Sequence, residues 1–104
     1  MKYDKIIRIE VQEAESEVWT DAFGKNLHAQ VNKTGGGSKE NAGAGQHTAS
    51  LTFKLRYTRK LEDIAYNPQP YRVIYRGRAF RVVDYDDYME QHREVKLVGE
   101  FYDR

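Results

Sequence analysis

The sequence predicts an all-β fold, a small barrel or sandwich of about six strands with one short helical turn and a long glycine-rich loop. Three observations carry that expectation. Short apolar runs recur at period two, the spacing of half-buried strands. Turn residues separate these runs, as in small barrels and sandwiches. Between Tyr75 and Val82 the chain spells a tight hairpin, Tyr-Arg-Gly-Arg-Ala-Phe-Arg-Val, in which Gly77 supplies the positive φ that a two-residue reversal needs.

The first strand is expected over residues 5–12, where Ile7, Ile9 and Val11 alternate with Arg8, Glu10 and Gln12. The acidic stretch 13–17 lacks β-branched residues and reads as a connection. Val18-Trp19-Thr20 opens a second strand, which residues 21–26, with Gly24, interrupt as a turn or bulge. Leu27, Ala29 and Val31 then alternate with His28, Gln30 and Asn32. Residues 34–47 hold five of the eight glycines. Such a segment buries too little apolar surface to offset its ordering entropy, and a mobile loop is expected there. Loops of that length in compact domains are usually functional or linkers.

Leu51, Phe53, Leu55 and Tyr57 alternate with Thr52, Lys54, Arg56 and Thr58, the clearest strand pattern in the chain. Leu61, Ile64 and Ala65 have helical spacing, enough for one or two turns, and Asn67-Pro68 ends them because proline disfavours helix in the residue before it. The hairpin follows over 71–76 and 78–84. Asp84-Tyr85-Asp86-Asp87 reads as an acidic corner. A last strand over 93–102 places Val95, Leu97, Gly99 and Phe101 on one face.

At 104 residues the chain is expected to form one domain, residues 1–104, around a single modest core. Its net charge of +1 makes no global argument for nucleic acid or membrane. No apolar run approaches the roughly 20 residues of a membrane helix, and no signal peptide is read at the start. Without cysteine there is no disulfide framework and no thiolate site. The histidines have no metal-ligand spacing, no serine sits in a nucleophile elbow, and Gly35-Gly36-Gly37-Ser38-Lys39 lacks the phosphate-loop frame. No catalytic, metal or cofactor-binding residue is expected. One concentration of charge stands out: Arg56, Arg72, Arg76, Arg78 and Arg81 are either solvent-facing strand positions or a basic patch for DNA or an acidic partner.

The order of these pieces resembles the phage head-tail joining proteins, also called head-closure, stopper or adaptor proteins. The features are Ile7 and Ile9, Trp19, Ala29-Gln30-Val31, Phe53-Lys54-Leu55-Arg56-Tyr57, the Tyr75–Val82 hairpin, and Val95-Lys96-Leu97. The resemblance implies a non-enzymatic virion structural protein of a tailed phage or prophage, assembled in the host cytoplasm into the neck. It implies a homo-oligomeric ring, monomeric when alone, that contacts the portal–adaptor ring and a tail-completion protein while packaged DNA passes through. In some relatives a long loop closes that channel. Carried over, Lys33, Gly35, Gly36, Gly37, Lys39 and His47 are candidate loop residues facing the channel or the neighbouring ring. The competing expectation is a free-standing small barrel that binds nucleic acid through the five arginines with tyrosine stacking.

Overall fold

The computed structural model describes residues 2–33 and 50–102. Among the described residues seven antiparallel strands build the fold: β1 (Lys5–Gln12), β2 (Trp19–Asp21), β3 (Leu27–Lys33), β4 (Ser50–Arg56), β5 (Tyr71–Tyr75), β6 (Arg78–Asp87) and β7 (Glu94–Phe101). They follow the order β2-β1-β3-β4-β7-β6-β5, and a further pairing of β1 with β5 closes six of them into a barrel, leaving β2 as an extra strand. Closure matters physically, because it leaves no continuous sheet edge to attract another chain. The expected glycine-rich loop, with Gly35, Gly36, Gly37, Lys39 and His47, lies outside the described residues.

β2 and β3 are two pieces of one interrupted strand. Gln12 faces Trp19 and Glu10 faces Asp21, whereas Ile7 faces Leu27 and Lys5 faces Ala29. The residues left over between the two registers form a turn that Asp21 organises: its Oδ1 accepts hydrogen bonds from the backbone N–H of Phe23 and Gly24, both at 3.0 Å. The Ala22 N–H still reaches the Ile9 carbonyl at 2.8 Å, so the detour costs little of the ladder.

Period-two alternation fills the barrel. Ile7, Ile9, Ala29, Phe53, Leu55, Val73, Phe80, Val82, Val95 and Leu97 form one buried cluster, with Leu61 and Ile64 packed into it. Those last two come from a short helical segment, a 3₁₀ turn over Arg59–Leu61 that runs into α1 (Glu62–Tyr66). Ala65 points to solvent instead. Phe53 sits at the centre, its ring meeting Phe80 edge-on at 5.7 Å and Tyr75 at 6.0 Å.

One expectation requires correction. Residues 84–87 are not a turn but the second half of β6, with Asp84 facing Val98, Tyr85 facing Leu97, Asp86 facing Lys96 and Asp87 facing Val95. The register shifts between Val82 and Asp84, leaving Val83 as the extra residue of a β-bulge. A bulge advances the alternation by one position. Before it Phe80 and Val82 point inward; after it Tyr85 does, while Val83 is 43% exposed. Asp84 and Asp86 thus occupy outward strand positions, where Asp86 faces a lysine across the ladder, whereas Asp87 shares the face of Tyr85.

The hairpin takes its expected form. Tyr75 pairs with Arg78, and both loop residues have positive φ, +53° at Arg76 and +76° at Gly77. This is the turn whose twist matches the flanking strands, and it favours Asn-Gly. Arg76→Asn is therefore expected to raise stability by up to about 1 kcal/mol, the scale of the left-handed penalty for a residue with a Cβ. The urea midpoint of the two proteins checks it.

Candidate functional site

The outward positions of β1 and β5 converge on one charged group. Glu10 and Arg72 are paired residues of the β1–β5 ladder and are only 8% and 7% exposed, although both lie on the outside of the barrel. Arg72 Nε and Nη2 donate to Glu10 Oε1 at 2.8 and 2.7 Å, and Nη1 donates to the Tyr102 hydroxyl at 3.0 Å. Arg8 approaches the other carboxylate oxygen, with Nε at 3.0 Å and Nη2 at 2.8 Å. Trp19 covers the group from β2, its ring centre 4.0 Å from the Arg72 guanidinium. A cavity of about 590 Å³ adjoins it, bounded by the β1–β2 loop, Pro70, Arg81 and Tyr102.

Arg72 is thus neutralised within the fold, whereas the other four candidate arginines are exposed. Three of these belong to the β5–β6 hairpin. Arg76 lies over the Tyr75 ring at 5.3 Å, Arg78 over Phe101 at 5.9 Å and Arg81 over Tyr102 at 5.2 Å. Arg81 also stands across the ladder from Glu100. Arg56 is separate, at the end of β4, 5.3 Å above the Tyr3 ring. The five arginines therefore divide into an exposed hairpin group, one internal ion pair and one residue elsewhere. Lys33 is exposed at the end of β3, opposite Leu51.

Arg56 borders a second depression, of about 380 Å³, that sequence reasoning did not find. Its floor is Leu27, Leu55 and Leu61, its walls Tyr3 and Phe23, and Lys25 stands at its mouth. Lys60 Nζ lies 5.3 Å from the centre of the Phe23 ring, adding a third cation beside Lys25 and Arg56. The missed signal was the interrupted strand, since it is the turn after Asp21 that brings Phe23 and Lys25 beside the ends of β3 and β4.

Behind the last strand lies a titratable corner. Asp87 Oδ1 accepts the His92 backbone N–H at 3.0 Å, and Asp87 Oδ2 sits 2.7 Å from His92 Nδ1. The His92 ring stacks on Tyr57 at 4.4 Å, and the Tyr57 hydroxyl donates to Glu62. That hydrogen bond holds the Tyr57 hydroxyl protonated up to about 12. Burial does the same for Tyr85, also pushed up to about 12, and its hydroxyl is buried without a hydrogen-bond partner.

Both tyrosines ionise later in the folded chain than in the unfolded one. Their stabilising contribution is full below the ordinary value of 10.0 and is lost as pH rises through about 12. A spectroscopic titration of tyrosinate should accordingly show Tyr57 and Tyr85, with Tyr3 and Tyr71 also raised, ionising later in the folded protein than in denaturant. Tyr57→Phe should remove one of them.

Elsewhere, Tyr3 and Lys2 converge on Glu94, at 2.7 and 2.9 Å. The hydrogen bond from Tyr3, then that from Lys2, holds the Glu94 carboxyl below its usual range. Among the described residues no group of three or more histidine or acidic side chains is placed to hold a metal ion. No helix of the described residues is long and apolar enough to cross a membrane. The geometry offers surfaces for contact.

The family model described as phage head completion protein matches residues 7–100, from the first core residue of β1 almost to the end of β7. The chain belongs to the phage head completion protein family. It is a phage head–tail structural protein, and its closed β-barrel is the framework on which the surfaces above are carried. No curated protein matches the chain.

Proposed function

We propose that this head completion protein forms part of the neck of a tailed phage or prophage, joining the portal–adaptor ring to the tail as a ring of copies around the DNA channel, without catalysis. Family membership over residues 7–100 carries the reading. The disposition of the barrel supports it. Arg76, Arg78 and Arg81 present exposed guanidinium groups from one hairpin, suited to an acidic neighbour or to DNA passing along the ring. The glycine-rich connection between Lys33 and Ser50 is the segment proposed to reach the channel or the adjoining ring, through Lys33, Lys39 and His47. Ordering of such a segment on assembly would be offset by the contacts it gains there.

Deletion of the gene from its phage tests this reading. Filled heads and separate tails, rejoined when the protein is supplied in trans, are expected. Intact, infectious particles formed without the protein would contradict it. The small-barrel alternative loses one of its five arginines to the Glu10 pair, which leaves fewer cations for a nucleic-acid backbone.

A further inference from the structure

We propose that copies of this chain associate head to tail, the acidic β1–β2 loop of one copy seating in the cation-rimmed apolar groove of the next. The inference deepens the proposed ring and rests on it for the identity of the neighbour.

The loop is built to be presented. Between Gln12 and Trp19 the Glu13 N–H donates to the Val18 carbonyl at 3.0 Å and the Ser16 N–H to the Glu13 carbonyl at 3.2 Å. The Ser16 hydroxyl accepts the Val18 N–H at 3.0 Å. Glu15 at its tip has φ of +58°, a conformation held by those flanking bonds. The loop therefore projects three exposed carboxylates, Glu13, Glu15 and Glu17, together with Val18, an aliphatic side chain 52% exposed. Little of its ordering entropy is left to be lost on binding.

The groove is the complement in both charge and polarity. Leu27, Leu55 and Leu61 give it an apolar floor, and Lys25, Arg56 and Lys60 surround it with positive charge. An aliphatic side chain beside carboxylates satisfies both features at once, and Val18, which follows Glu17 and accepts the Glu13 N–H through its carbonyl, is such a group. Complementary potentials of this kind fix partner and register.

The loop cannot reach the groove of its own copy. Gln12 holds the loop at one end of β1 through its pairing with Trp19, whereas Leu27 of the groove pairs with Ile7. At about 3.3 Å per strand residue those positions are roughly 17 Å apart along β1, and the loop points onward from Gln12. Two different, complementary patches on one chain make a heterologous contact, which generates a ring when the rotation closes.

Carbodiimide cross-linking of mixed isotopically light and heavy full-length protein at low salt tests the contact. Light–heavy links joining Glu13, Glu15 or Glu17 to Lys25 or Lys60 are expected. The loop variant Val18→Asn and the groove variant Arg56→Glu keep every linking carboxylate and amine, and each should lower these links by about tenfold or more when alone. An equimolar mixture of the two variants should restore them. Absence of the links in the native protein, or their survival in either variant alone, would overturn the proposal. Phage carrying the loop variant that still joins heads to tails would also overturn this contact while leaving the joining role intact.

Discussion

Arg72→Met should cost about 3 kcal/mol of folding stability, the lower end of the range for removing one partner of a buried ion pair. The low end applies because Arg8 continues to reach the second oxygen of Glu10. What is lost is the bidentate contact to Oε1, the hydrogen bond to Tyr102 and the stack against Trp19. The double variant Arg72→Met/Glu10→Leu should recover most of that loss, since it removes the stranded carboxylate along with its partner. Chemical denaturation of the wild type, both single variants and the double variant measures the cycle. A single variant within about 0.5 kcal/mol of wild type, the range of ordinary surface changes, would show that the pair adds nothing to the fold.

Phe53→Ala is expected to destabilise by about 3–5 kcal/mol, as truncation of a central aromatic residue does. Phe53 is fully buried and is packed on by Phe80 of β6 and Tyr75 of β5. It also explains Gly99. A Cβ at that position would lie 2.9 Å from Phe80 Cβ and 3.1 Å from Phe53 Cε2, so Gly99→Ala alone must displace the Phe80 backbone and push the Phe53 ring aside. That overpacking should cost about 1–3 kcal/mol. Once Phe53 is alanine, one of the two obstacles is gone. The double variant should then fall short of the summed single losses, a coupling that equilibrium unfolding of the four proteins resolves. Strict additivity would show that the methyl is resisted by Phe80 alone.

Much of this fold was legible because strand alternation survives local disturbance. β1 occupies the expected 5–12, and the inward faces of β3, β4 and β7 follow from period two. The helical turn and the Arg76-Gly77 reversal were likewise marked by Leu61, Ile64 and Gly77. The bulge at Val83 was not legible, since one inserted residue inverts the pattern and makes a strand resemble an acidic corner. Nor did alternation reveal that Glu10 is buried. Its outward position predicted exposure, and only the closing β1–β5 pair brings Arg72 to it. The same limit applies to the basic patch: sequence gathers five arginines, while register separates them. The groove beside Phe23 depends on a turn between two pieces of one strand, a relation without a periodic signature.

The most direct test of the proposed joining role is electron microscopy of the purified protein added to the portal–adaptor complex of its own phage. The predicted result is a ring of this barrel below the adaptor, with residues 34–47 directed toward the channel or the adjacent ring. Failure to bind that complex, accompanied by salt-sensitive binding to single-stranded nucleic acid, would contradict it.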